Sequence, residues 1–231
     1  TLNIKGFNLT LPHKINIIEY LDDVSKEAKL IGAVNTVKNE SGKLIGYNTD
    51  GIGFLKSLEL KGIDIKDKTI LVLGSGGAAN AVVTSLAMAG VKRIIISNRT
   101  LSKAKNLAIK IQQQFSKVMV TYDDLGLNNF KKNDIDMVIN CTSVGMYPNI
   151  DETPITFDGF SKKLLVYDII YKPRKTKFLQ LAEEKGFFII GGLSMLINQA
   201  LCSQAIWLGY EDNNIYNKFN VIERILKSFV E

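Results

Sequence analysis

The chain has 231 residues, 46% hydrophobic and 23% charged, with four prolines, 18 glycines and a formal net charge of +6. That balance excludes disordered, collagen-like and linker-dominated chains, and no apolar run reaches the ~18–20 residues of a membrane span. A single histidine, His13, leaves no His-rich metal site, and the mild, scattered positive charge suits small acidic molecules better than nucleic acid.

In chain order, Ile4–Thr10 reads as a strand ended by Pro12, Ile15–Lys29 as a helix, and Ala33–Val37 with Lys43–Tyr47 as a hairpin around Glu40-Ser41-Gly42. These elements are too few for a comfortable domain. They read as the remainder of a smaller, N-terminally incomplete α/β substrate domain, residues 1–52, in a chain that starts at Thr1 rather than Met. From Thr69 the pattern alternates. Strands are expected at Thr69–Gly74, Arg93–Ser97, Lys117–Tyr122, Asp136–Cys141, Leu164–Ile170 and Phe187–Ile190. Helices are expected at Ala78–Ala89, Leu101–Phe115, Thr176–Lys185 and Leu193–Leu208. Continuous apolar strands alternating with helices predict a doubly wound parallel sheet over residues 53–208. The last segment, 209–231, carries apolar residues at helical spacing from Asn213 to Val230 and is expected to fold back onto the smaller domain. Cys141 and Cys202 sit inside apolar stretches, which predicts buried thiols, no disulfide framework and a reducing, cytoplasmic compartment.

Gly74-Ser75-Gly76-Gly77-Ala78-Ala79 lies between a predicted strand and a predicted helix. Gly74 suits the tight turn, Gly76 admits a pyrophosphate to the backbone, and Ala79 takes the place of the third glycine, so the loop predicts dinucleotide binding in a Rossmann-like unit. The next strand ends in Asn98-Arg99-Thr100, with no carboxylate to accept from a ribose 2′-hydroxyl. Arg99 offers a planar charged fork to a 2′-phosphate, and Asn98 and Thr100 add neutral donors, which predicts NADP over NAD. Thr100 is also expected to cap the following helix.

Eight motifs in order carry a resemblance. They are Gly6-Phe-Asn-Leu-Thr-Leu-Pro-His-Lys14, Gly32-Ala-Val-Asn-Thr36, Asn48-Thr-Asp-Gly-Ile-Gly53, the glycine loop and Asn98-Arg-Thr100. Asn140-Cys-Thr-Ser-Val-Gly-Met146, Tyr167-Asp-Ile-Ile-Tyr-Lys-Pro173 and Gly192-Leu-Ser-Met-Leu-Ile-Asn-Gln199 complete the set. Together they resemble the shikimate dehydrogenase family across essentially the whole chain. The resemblance implies NADP-dependent, reversible interconversion of shikimate and 3-dehydroshikimate in aromatic amino-acid biosynthesis, with no metal. It implies Lys14 and Asp50 as the catalytic pair beside the reacting hydroxyl, where loss of hydride from carbon requires an acid/base group within ~2.6–3.2 Å of the oxygen. Which of the two takes the proton stays open. By the same resemblance Thr10, Asn35, Tyr171 and Gln199 contact the substrate, and Thr142, Ser143, Met146, Ile169 and Gly192 wall the cofactor. His13 is expected to be a local partner at most.

The family's usual first strand and helix, with a Ser-x-Ser pair for the substrate carboxylate, has no counterpart before Thr1. A shortened chain is therefore expected. The alternatives are a relative preferring quinate or an amino-substituted analogue, and a catalytically idle NADP-binding module. The expected state is a monomer or homodimer that binds neither nucleic acid nor membrane.

Overall fold

The computed structural model describes residues 4–10, 12–210 and 213–228. Leu11 of the first motif, and Glu211, Asp212 and residues 229–231 of the predicted C-terminal segment, lie outside the described residues. The chain forms two compact units, one made of residues up to Lys61 together with Ser194–Ile225, the other built on Gly62–Leu193.

The first unit opens with β1 (Gly6–Asn8) and α1 (His13–Asn16), continued by a 3₁₀ turn over Ile17–Tyr20. Next come β2 (Asp23–Val24), α2 (Lys26–Ile31), β3 (Thr36–Glu40) and β4 (Lys43–Tyr47), in a sheet ordered β1-β3-β4-β2. The predicted helix Ile15–Lys29 is thus broken, and local hydrogen bonding is the reason. Asp22 Oδ2 accepts from Leu44 N at 2.7 Å, Asp23 Oδ1 from Val24 N at 2.8 Å and Ser25 Oγ from Ala28 N at 3.2 Å. Short polar side chains that bond nearby backbone compete with helix, and here they turn Asp23–Val24 into a strand parallel to β4 and start α2 afresh at Ser25. The hairpin forms as expected. Ser41 (φ 55°) and Gly42 (φ 96°) make a two-residue loop with both residues left-handed, the turn whose twist matches antiparallel strands. Apolar side chains of Val24, Ala28, Val34 and Val37 form this unit's core.

After β4 the chain enters α3 (Asp50–Glu59), a helix not predicted because Asn48-Thr49-Asp50-Gly51 reads as a turn. The second unit follows, with β5 (Thr69–Leu73), α4 (Gly77–Met88), β6 (Arg93–Ser97), α5 (Leu101–Gln114), β7 (Met119–Asp123) and β8 (Met137–Asn140). It ends with β9 (Leu165–Asp168), α6 (Lys177–Glu184) and β10 (Phe188–Ile190). All six strands are parallel, in the order β10-β9-β8-β5-β6-β7. This is the doubly wound Rossmann order, which reverses direction between β5 and β8 and so opens a crevice at their carboxyl ends. Leu71, Leu73, Val138, Val166, Phe157 and Phe178 pack into one core, with the Phe157 and Phe178 ring centres 5.1 Å apart.

The chain then continues as α7 (Leu193–Leu208), a 3₁₀ turn and α8 (Phe219–Lys227), whose Phe219 is buried; Ser194–Ile225 group with the first unit. The sequence boundaries at residues 53 and 208 leave most of α3 and all of α7 in the dinucleotide domain; by contacts both helices group with the first unit, α7 from Ser194 on. Gly53 makes that arrangement sterically feasible. A Cβ there sits 2.7 Å from Gln199 N and 2.8 Å from Met195 O, so α3 and α7 approach through backbone. Helix propensity alone gives Gly53→Ala a gain of ~1 kcal/mol, whereas forced separation of two packed helices costs ~1–3 kcal/mol. We expect a net loss, read as a lower urea midpoint; a raised midpoint contradicts the close approach.

Candidate active site

In the first unit, Lys14 projects from α1 and Asp50 opens α3, thirty-six residues later in the chain; Lys14 Nζ donates to Asp50 Oδ2 at 2.7 Å. Neither is fully sequestered, with side chains 23% and 15% exposed, so a ligand can reach both. The lysine backbone is pinned where its carbonyl accepts from Val34 N at 2.8 Å. The carboxylate is gripped from the other side. Asn35, only 2% exposed, donates through Nδ2 to Asp50 Oδ1 at 2.8 Å and to Thr49 Oγ1 at 3.0 Å. Its Oδ1 accepts from Thr49 N at 2.9 Å and Thr36 Oγ1 at 2.9 Å. Both amide hydrogens and the carbonyl are engaged, so the amide plane cannot turn without breaking several bonds.

Behind Asn35 lies a cluster of neutral polar side chains that sequence reasoning did not single out. Ser203 Oγ lies 2.8 Å from Thr36 Oγ1 and 3.2 Å from Thr49 Oγ1, and Asn8 Nδ2 donates to Thr36 Oγ1 at 2.9 Å. Thr36, Thr49 and Ser203 are fully buried. The available signal was the threonine following each motif asparagine, a polar residue repeated at an inward position. Gln199 reaches the edge of this cluster, its Oε1 accepting from Thr49 Oγ1 at 3.4 Å. Thr10 is exposed and contributes its backbone carbonyl to His13 N at 2.9 Å, closing the turn before α1.

In the second unit, the loops leaving β5, β6 and β8 carry the predicted dinucleotide residues. Gly74 adopts φ 107°, and a Cβ on it stands 3.1 Å from both Cys141 O and Thr142 Cγ2. Gly76 and Gly77 face open space, and Gly76 starts α4 without any side-chain cap. The first N–H groups of that helix therefore lack an internal partner, an arrangement that suits an anion. Ser75 and Ala78 complete this half-exposed loop. A cavity of about 460 Å³ opens beside Asn98, Arg99, Thr142, Ser143, Met146 and Tyr147. Its size lies in the range of small-molecule sites, and its arginine suits a phosphate, so the residues present fit an NADP cofactor. Thr100 stands at the start of α5 but makes no side-chain capping bond, in contrast to expectation; its carbonyl instead accepts from Asn98 Nδ2 at 2.9 Å and Lys103 N at 3.0 Å. Ile169 and Gly192 do not line the cavity. A Cβ on Gly192 would sit 2.0 Å from Ile169 O, so this glycine lets two backbone segments touch. Tyr171 lies just past β9 and is 45% exposed.

Asp168, at the carboxyl end of β9, is fully buried. It accepts from Thr176 Oγ1 at 2.6 Å, Ile170 N at 3.0 Å and Asn140 Nδ2 at 3.2 Å. Burial pushes its carboxyl up to about 6, against the lowering effect of those hydrogen bonds. Burial, reinforced by Asp168, also pushes the Cys141 thiol up, and Cys141 and Cys202 are both free, buried and inert.

Together these features place the chain among the dinucleotide-dependent α/β oxidoreductases. The family model described as shikimate dehydrogenase substrate binding domain matches residues 1–37, and that described as shikimate / quinate 5-dehydrogenase matches residues 56–171. A shikimate dehydrogenase (NADP(+)) of Caldicellulosiruptor bescii is 47% identical over 207 residues, 89% of this chain and 70% of the relative. A crystal structure of a shikimate dehydrogenase in complex with NADP+ superposes with a TM-score of 0.90 at 42% identity, covering 100% of this chain and 78% of that one. The shikimate 5-dehydrogenase of Listeria monocytogenes, in complex with shikimate and NAD, has a TM-score of 0.86 at 36% identity, over 95% and 78% of the two chains. The chain belongs to the shikimate dehydrogenase family.

The Asp168 geometry has a measurable pH signature. Its folded value of about 6 lies above the ordinary 3.8, so the ionised form opposes folding; that cost is absent below about pH 4 and complete above about pH 6. Asp168→Asn is expected to stabilise the protein by up to ~3 kcal/mol at pH 8, with the gain vanishing towards pH 4. Urea unfolding of both proteins across that range checks it.

Proposed function

We propose that this chain is an NADP-dependent shikimate dehydrogenase, interconverting shikimate and 3-dehydroshikimate. The observation that carries the reading is the Lys14–Asp50 pair held by Asn35. Oxidation of a secondary alcohol removes a hydride from carbon and a proton from oxygen. Bound NADP+ supplies the hydride acceptor. Lys14 and Asp50 supply the rest: one accepts a hydrogen bond from the reacting hydroxyl and takes its proton, while the other holds the pair in register. In the reverse direction the same pair returns the proton to the ketone oxygen. Asn35 is already saturated by Asp50, Thr49 and Thr36, so we assign it to positioning Asp50 rather than to the substrate alone. Within the first unit, Gln199 and Thr10 offer an amide and a hydroxyl group to the remaining substrate oxygens.

In the second unit, Arg99 and the Gly74–Ala78 loop are the proposed 2′-phosphate and pyrophosphate holders. Thr142, Ser143 and Met146 wall the cavity that Arg99 lines, and the Gly74–Ala78 loop is not part of its lining. No helix among the described residues is long and apolar enough to cross a membrane, and two free buried thiols suit a reducing, cytoplasmic setting.

Shikimate-dependent formation of NADPH tests the reading directly, with quinate assayed alongside to separate the two polyol acids. Lys14→Ala and Asp50→Asn are each expected to lower kcat by ~10²–10⁴-fold, the usual contribution of positioned acid–base groups. Normal turnover in both variants removes the mechanism. Arg99→Ala is expected to weaken NADP+ roughly 10- to 100-fold, the size of a lost charge-assisted hydrogen bond, and to leave NAD+ binding nearly unchanged. Paired titrations of the two dinucleotides measure it.

A further inference from the structure

The chemistry above makes no use of Asp168, and a carboxylate buried without a cation weakens the fold. What it does accomplish is visible in the hydrogen bonds that leave it. An ionised carboxylate can only accept. Asp168 Oδ1 accepts from Asn140 Nδ2 at 3.2 Å, and Val144 O accepts from the same nitrogen at 3.3 Å. These two acceptors force the nitrogen end of the Asn140 amide towards them. Its oxygen end must then face the other way, where it accepts from Thr142 N at 3.0 Å and Thr142 Oγ1 at 2.7 Å. With its hydrogen committed to Asn140, Thr142 Oγ1 uses a lone pair to accept from Val144 N at 3.1 Å. Every donor and acceptor from β9 to the cavity wall is thus oriented in one direction.

Thr142 is well placed to transmit this order. It lines the cavity with Arg99 and Met146, and its Cγ2 lies 3.1 Å from where a Cβ on Gly74 would stand. A turn of the Asn140 amide therefore changes both the wall and the clearance over the glycine loop. The second oxygen of Asp168 holds Thr176, which starts α6 and whose Cβ lies 3.5 Å from the corresponding point on Gly145 in the same loop. The loop is held at Thr142 and approached again at Gly145.

We propose that Asp168 is a positioning residue for the dinucleotide site, setting the path of Thr142–Val144 through the orientation of the Asn140 amide. This rests on the reading of the adjoining cavity as the NADP site. Two variants separate orientation from bulk. Asp168→Asn keeps an oxygen towards Asn140 and Ile170 and turns its nitrogen towards Thr176 Oγ1, which can accept. Asp168→Ala removes both oxygens.

The test measures NADPH binding by fluorescence titration and amide hydrogen exchange on the cofactor-free protein. Asp168→Ala is expected to weaken NADPH roughly tenfold or more and to lose protection at the Thr142 and Val144 amides, with β8 and β6 amides unchanged. Asp168→Asn is expected to stay within about threefold in affinity and to keep that protection, since the bond accepted from Asn140 is retained. Equal affinity and unchanged exchange in the alanine variant overturn the inference, as does equal damage in both variants. Where the alanine variant does not fold, Asp168→Leu, apolar and of similar bulk, takes its place; failure of both to fold assigns Asp168 to the fold and not to the site. If the unaltered protein does not bind NADPH, the reading of the cavity falls, while the exchange measurement still decides whether Asp168 holds Thr142.

Discussion

The first unit is organised around one side-chain amide. Asn35 has two hydrogens to give and an oxygen with two lone pairs, and the structure uses all four, on Asp50, Thr49 twice and Thr36. A buried amide left half-bonded costs roughly 1–3 kcal/mol, so its neighbours are not free to drift. That constraint is what gives a lysine and an aspartate from distant parts of the chain a common geometry. It also explains the unusual density of hydroxyls beneath the pair: Thr36, Thr49 and Ser203 satisfy one another where apolar packing would strand the amide.

The second unit relies on a different device, the placement of loops by a sheet. Parallel strands all end on the same edge, so the sheet itself brings the segments after β5, β6 and β8 together. Glycine at position 74 lets two of those loops pass within contact distance, and the absence of side chains at 76 and 77 leaves space over the start of α4. Two charged side chains line the cavity, Arg99 beyond the end of β6 and Glu152, and only the first is a cation. Backbone geometry therefore shapes the site and one cation biases what enters it.

Much of this was legible in the amino-acid order, for identifiable reasons. Arg93–Ser97 and Leu193–Leu208 were read with the boundaries the structure shows, because a strand buried on both faces and a long apolar helix each leave an unbroken signal. The Lys14–Asp50 pairing came from motif resemblance; spacing alone does not suggest it. The helix over 15–29 was misread since apolar periodicity continues through Asp22, Asp23 and Ser25, and only the hydrogen bonds to β4 reveal the break. Helix α3 was missed because Gly51 and Gly53 mimic a turn, although Gly53 is there for close packing on α7. Thr100 was expected to cap α5 and does not. The hydroxyl cluster was invisible as a cluster, since its members lie on three elements and meet only after folding.

One consequence concerns the order of assembly. Asn8 bonds to Ser203 across 195 positions, and Trp207 Nε1 donates to Val37 O across 170. The unit holding the lysine and aspartate is therefore a discontinuous domain, stitched from segments made early and late in translation, whereas Gly62–Leu193 emerges from the ribosome as one uninterrupted stretch. Domains fold as units once their chain is available, so the nucleotide half can mature while the catalytic half still waits for α7. Until that helix arrives, the polar side chains that end up around Asn35 stay hydrated, and a segment made before Gly62–Leu193 finds its partners only after it.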